Sequence, residues 1–179
     1  MKLFIYMFLL VSFLTGCGGQ VKPDGEDEGT GAQVGFIDSG DNQSGAVVVD
    51  GVKRDVSYER SAINDAANVL SDRTIYFDFD SSAISSDDEE IIKHHGKYLA
   101  LNSSASVRIE GHTDERGTRE YNIALADRRA QSVKRLLTYQ GASSNQIVVI
   151  SYGEEKPAVL GHDESAWQLN RRAELVYGE

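Results

Sequence analysis

The stretch Val107-Arg108-Ile109-Glu110-Gly111-His112-Thr113-Asp114-Glu115-Arg116-Gly117-Thr118 and the run Tyr121 to Tyr139 behind it decide the fold. Val107 and Ile109 alternate with Arg108 and Glu110, the period-two pattern of a half-buried strand. The residues after Glu110 are polar or glycine and read as a loop. In the following run, Ala126, Ala130, Val133 and Leu137 recur at steps of four, three and four. That is one apolar face of a helix, and Gly141 ends it. Working outward, Thr74 to Phe79 alternates with Ile75, Phe77 and Phe79 on one face, a first strand. Ser86 followed by Glu89 reads as a capping box, opening a helix that turns Ile91, Ile92, His95, Tyr98 and Leu99 inward. Downstream, Ile147 to Tyr152 is a third strand, Ser165 to Asn170 about one helical turn, and Arg172 to Tyr177 a fourth strand. Helices between strands imply crossover connections. Two main helices cover one face of a sheet, so the class is α+β. The expected architecture is a two-layer sandwich, βαβαββ, with a mixed four-stranded sheet and its helices on one face.

The N-terminal part reads differently. Met1 and Lys2 precede a nearly unbroken apolar run from Leu3 to Phe13. It is too short for a membrane-spanning helix, which needs roughly 20 residues, and suits a secretory signal. The sole cysteine, Cys17, closes Leu14-Thr15-Gly16-Cys17. This pattern resembles the bacterial lipobox, which implies cleavage after residue 16 and acylation of Cys17 with fatty chains such as palmitate. Gly18, where an aspartate would oppose it, implies sorting to the outer membrane. Residues 17–73 are expected to be an acidic, flexible tether, with 11 acids against 5 bases from Gly18 to Arg73 and few aromatics, a composition that buries too little to offset its ordering entropy. Within it, Ala46 to Val49 could form a local strand and Ser61 to Leu70 a short helix. The folded domain is expected over 74–179.

Composition excludes several functions. The 179 residues carry 18 Lys plus Arg and 28 Asp plus Glu, a formal charge of −10. A nucleic-acid binder needs a basic patch, so none is expected. One cysteine rules out a disulfide framework and a multi-Cys zinc site. His94, His95, His112 and His162 have no metal-ligand spacing, and no metal or cofactor is expected.

Candidate binding residues collect beyond the strand ends, where loops on a rigid scaffold concentrate function. Asp80 ends the first strand and Asp114 follows the second. Arg129 borders the apolar stripe of the long helix, four residues from Leu125 and four from Val133. A cation there wants a carboxylate. Two readings stand: a structural ion pair with Asp114 or Asp127, or a clamp in which Asp114 holds an ammonium and Arg129 a carboxylate. A ligand with both groups is an amino acid.

Several motifs occur in order: Tyr76-Phe77-Asp78-Phe79-Asp80, Gly111-His112-Thr113-Asp114, Tyr121-Asn122-Ile123, Leu125-Ala126-Asp127-Arg128-Arg129-Ala130, Ser151-Tyr152-Gly153-Glu154-Glu155-Lys156-Pro157 and Asn170-Arg171-Arg172-Ala173. Together they resemble the OmpA-like C-terminal domain family and, within it, the peptidoglycan-associated lipoproteins of the Tol–Pal system. The resemblance implies non-covalent binding of the meso-diaminopimelate in the peptidoglycan stem peptide. It implies Asp114 and Arg129 as the key pair, Phe79 and Asp80 as contacts from the first strand, and Asn122 and Leu125 in the same groove. It further implies TolB as a partner, with TolA and OmpA-like proteins beside it, and a role in outer-membrane constriction at cell division. Thr113 stands where the family often has alanine. The first alternative is an OmpA-like lipoprotein that anchors to the wall without Tol partners, and a wall-degrading enzyme is the reading from a different class. No nucleophile–base arrangement supports it, and an acid held near an arginine is poorly suited to general-acid work, so no catalytic residue is expected.

Overall fold

The computed structural model describes residues 45–49 and 52–178. The signal-like segment, the lipobox with Cys17 and most of the tether lie outside them. Among the described residues no helix is long and apolar enough to cross a membrane.

A short hairpin, β1 (Gly45–Val49) and β2 (Val52–Val56), pairs antiparallel and is followed by two 3-10 turns, Arg60–Asn64 and Val69–Ser71. Then come β3 (Thr74–Tyr76), α1 (Ser86–Leu101), β4 (Val107–His112), α2 (Arg119–Tyr139), β5 (Ile147–Gly153), α3 (Glu164–Asn170) and β6 (Arg172–Tyr177). The four-stranded sheet has the order β3-β6-β4-β5. Strand β6 is antiparallel to both neighbours, whereas β4 and β5 are parallel. This is the α+β, mixed four-stranded arrangement expected from the pattern. What the pattern does not show is that the last strand inserts between the first and second of the sheet.

The helices pack on one face of the sheet. Ile91, Ile92, Tyr98 and Leu99 of α1 and Ala130, Val133 and Leu137 of α2 share one core with Ile75, Ile109, Ala173 and Leu175 of the strands. The small residues of α2 let it lie close to β4. A Cβ built on Gly111 would sit 2.1 Å from the Ala126 carbonyl oxygen, so only glycine permits this crossing. The contact fixes the helix that carries Arg129 against the strand that leads to Asp114.

Local signals set the helix ends, one of them a residue away from the expected place. The cap of α1 is Ser85, whose hydroxyl accepts from Asp88 N at 3.2 Å and donates to the Asp88 carboxylate at 2.8 Å. The Ser86–Glu89 pair is therefore not the box. The acids of the first turn face the positive end of the helix dipole. Thr118 caps α2 by accepting from Tyr121 N at 3.3 Å.

The packed domain begins earlier than residue 74. Tyr58, Ala62, Ile63, Val69 and Leu70 belong to the core, with Val69 and Leu70 fully buried. Asp55 N donates to Ala67 O at 3.0 Å and Asn68 Nδ2 to Ser57 O at 3.1 Å, closing the segment on itself. Arg54 pairs with Asp72 at 3.0 Å. Residues 52–73 fall within the tether expected from acidic, aromatic-poor composition, but Tyr58, Ile63, Val69 and Leu70 concentrate enough apolar surface there to join the core. The helix expected over Ser61 to Leu70 is two 3-10 turns separated by extended backbone at Asp65.

Candidate functional site

Strand β3 stops at Tyr76, three residues short of the expected end. Phe77 still donates its backbone N–H to Arg171 O at 2.9 Å and is buried, but Phe79 is 59% exposed. It does not join Ile75 and Phe77 on the core face, as the alternation predicted. The chain turns sharply instead, with Asp80 in the left-handed region at φ 53°, a conformation aspartate tolerates better than most residues. The turn brings Phe79 and Asp80 over the loop that follows β4.

That loop is built around Asp114. Its Oδ1 accepts Arg116 N at 3.1 Å, an Asx-type turn. Its Oδ2 accepts Arg116 Nη2 at 2.7 Å and Arg171 Nη1 at 3.3 Å. Gly117, at φ 110°, returns the chain into α2 through a conformation that a Cβ would strain. Burial pushes the Asp114 carboxyl up, but hydrogen bonds and charge from Arg116, joined by Arg171, outweigh it. The carboxyl therefore titrates below its ordinary range and stays ionised.

Arg129 is fully buried and remains cationic. Its Nε donates to Ser81 O at 2.8 Å, Nη1 to His112 O at 2.8 Å and Nη2 to Asp78 O at 3.0 Å. These carbonyls come from the turn after β3 and the end of β4, so one guanidinium ties both rims together. Burial lowers its pKa to about 10, against the raising effect of the Asp114 charge. Among the described residues no carboxylate pairs directly with Arg129, so the ion pair with Asp114 or Asp127 is not formed. A guanidinium has five N–H donors. Three are spent on carbonyls, and two have no partner among the described residues.

Between these groups lies a concavity of about 180 Å³. All six residues expected to contact a ligand line it: Phe79, Asp80, Asp114, Asn122, Leu125 and Arg129. Asn122 is buried and donates to the Glu154 carboxylate, while Tyr121 donates its hydroxyl to Asp80. The pocket thus presents an ionised acid and a buried cation side by side, with an aromatic rim. That set can hold a zwitterion: an ammonium against Asp114 and a carboxylate bidentately against Arg129.

Three contributors escaped the sequence reading. Arg116 is stacked between Phe79 and Trp167, 4.1 Å from each ring centroid, while it pairs with Asp114. Arg171 is buried, donating to Phe77 O at 3.0 Å and to Glu164 at 2.6 Å besides Asp114. Tyr121 carries the bond to Asp80. The usable signal was the pair Arg171-Arg172 where the chain enters an apolar strand, and both arginines are buried.

Comparisons with known proteins place the fold and the family. The OmpA family model matches residues 76–171. A peptidoglycan-associated lipoprotein of Haemophilus influenzae is 52% identical over 104 residues, 58% of this chain and 68% of that protein. One of Pseudomonas aeruginosa is 40% identical over 175 residues, 96% of this chain and 94% of that protein. The crystal structure of the peptidoglycan-associated lipoprotein from Burkholderia pseudomallei superposes with a TM-score of 0.65 at 44% identity, covering 65% of this chain and 99% of that one. The chain belongs to the OmpA family and, within it, to the peptidoglycan-associated lipoproteins.

Proposed function

We propose that this chain is an outer-membrane lipoprotein, anchored through acylated Cys17, whose periplasmic domain grips the cell wall without covalent bonds. The observation that carries the reading is the pairing in one concavity of an ionised Asp114 and a buried Arg129 with unspent donors. The side-chain end of meso-diaminopimelate bears one ammonium and one carboxylate, the two groups this pair accepts. Phe79 and Leu125 supply apolar contact beside it, and Asp80 and Asn122 polar contact. A binding energy of about 8 kcal/mol, micromolar affinity, is sufficient because a membrane tether holds the domain at high effective concentration. Residues 1–16 are the cleaved signal, and the tether from Cys17 reaches the folded domain, which starts ahead of residue 74. Within the Tol–Pal system the partner is TolB, on a surface overlapping the wall-binding pocket, and the assembly constricts the outer membrane at division. Catalysis forms no part of this reading.

The test is co-sedimentation of the full chain, purified in detergent, with diaminopimelate-type sacculi. Wild type is run beside Asp114→Ala and Arg129→Ala, with folding checked by circular dichroism. Wild type pelleting while folded variants stay soluble supports the reading; equal pelleting of all three overturns the pocket as the wall site. TolB capture by the same variants separates the Tol role from anchoring.

A further inference from the structure

We propose a divalent transition-metal site, best suited to zinc, on the face of the sheet away from the helices, formed by Glu110, His112 and Glu174. Alternation along β4 turns Val107 and Ile109 into the core, leaving Glu110 and His112 on the other side. In the antiparallel register Glu174 of β6 stands directly opposite Glu110. One ligand atom from each of the three lies within 4.8 Å of the other two.

Two features of this cluster are unexplained by packing alone. Like charges directly opposite on neighbouring strands repel, yet Glu110 and Glu174 are paired so. Arg108 Nε binds Glu110 Oε1 at 2.6 Å and Arg172 Nε binds Glu174 Oε1 at 2.5 Å. Both arginines occupy Oε1, and among the described residues neither Oε2 has an arginine. The second feature is His112. It is 1% exposed, and neither ring nitrogen has a hydrogen-bond partner among the described residues. A buried unpartnered polar group costs about 1–3 kcal/mol, and a bound ion is one of the few things that satisfies it. The imidazole stacks on Tyr152, with centroids 5.5 Å apart, which holds the ring beside the two carboxylates.

The donor set selects the metal. One imidazole nitrogen and two carboxylate oxygens suit zinc with a water in the fourth position; calcium and magnesium prefer all-oxygen shells. Bonds of roughly 2.1 Å to a tetrahedral ion place ligand atoms about 3.4 Å apart, so the side chains close by about an ångström on binding. Glu174 is partly exposed and gives the ion its entry. Arg108, Arg172 and Lys156 border the cluster and compete with a cation, so affinity is moderate. The His112 carbonyl also accepts Arg129 Nη1. A metal that joins β4 to β6 at His112 therefore stiffens the strand end beneath the pocket.

The test uses the full chain in detergent, stripped with a chelator and titrated with zinc by calorimetry, with magnesium as control. In a nitrogen-labelled sample the ring resonances of His112 are followed at the same time. The expected result is one zinc bound with a large shift of one His112 ring nitrogen, and affinity at least tenfold weaker in Glu174→Gln and Glu110→Gln. His162→Ala is expected to leave binding unchanged. Glu174→Gln sits at a partly exposed position, so it tests the site even where His112→Gln prevents folding. Zinc binding unaffected by Glu174→Gln, or an unmoved His112 ring, overturns the site.

Discussion

His95 and Arg129 are both fully buried polar side chains, one on each main helix, and their surroundings differ in kind. His95 has both ring nitrogens engaged: Nε2 lies 2.9 Å from Asp72 O, and Nδ1 2.8 Å from the Tyr177 hydroxyl. A carbonyl only accepts, so Nε2 carries the hydrogen and Nδ1 accepts from the tyrosine. Nearby, Gln146 Nε2 lies 3.0 Å from Leu99 O and Asn102 O and 2.9 Å from Ala105 O. His95 and Gln146 thus direct their polar groups onto the chain itself. Arg129 also holds three carbonyls, but it keeps two donors and faces a concavity shared with an ionised aspartate. A fully satisfied network rigidifies, whereas bonding capacity kept at a cavity wall recognises something.

The contrast can be broken by experiment, starting where the effect is largest. Leu70→Ala, in the closed end, is expected to lower stability by about 2–5 kcal/mol in urea unfolding while the folded protein keeps its sacculus binding. A chain begun at residue 74, lacking Tyr58, Ile63, Val69 and Leu70, is expected not to fold cooperatively. Acid comes next. Burial holds the His95 pKa near 4, against an ordinary 6.5. The unfolded state therefore takes up the proton first as pH falls. The contribution of neutral His95 is complete above about pH 6.5 and shrinks towards pH 4 by about 3 kcal/mol. Unfolding at stepped pH should show that slope in wild type and a flatter one in His95→Gln.

At the open end the order of effects reverses. Arg129→Lys keeps the charge but loses the fork, and sacculus binding is expected to fall at least tenfold, about 1.4 kcal/mol. Its thermal midpoint should move less than that of Leu70→Ala. Equal loss of stability and binding in Arg129→Lys would erase the distinction drawn between the two ends. Arg116→Ala removes a cation stacked between two rings, worth about 1 kcal/mol, and is expected to weaken binding several-fold. His162→Ala, which breaks an exposed contact with Glu115 at 2.7 Å, is expected to leave both stability and binding within error, since such pairs contribute little.

Legibility followed the range of the interactions. Helix α2 was readable because its apolar face repeats within one turn, and all of Ala126, Ala130, Val133 and Leu137 are buried. Asp114 and Arg129 were readable as residue types at a motif spacing. The partners of Arg129 were not, because they are main-chain carbonyls and carry no sequence identity. Phe79 was misplaced because alternation assumes that a strand continues, and the turn at Asp80 ends it. Tyr58 to Leu70 is hidden in the tether because composition averaged over residues 17–73 is acidic, which masks the few apolar side chains that pack into the core.

By itself, the sequence determined the α+β class, the order of elements from Thr74 onward and, through the family motifs, six of the ten residues that line the pocket. These depend on local periodicity and on residue chemistry, which a linear string carries in full. The tertiary structure alone decided that β6 inserts between β3 and β4, that residues 52–73 complete the core, and that Arg116 and Arg171 brace Asp114. It also decided that Glu174 meets Glu110 and His112. Each of these depends on which distant segments become neighbours, a choice made by the packing free energy of the whole core.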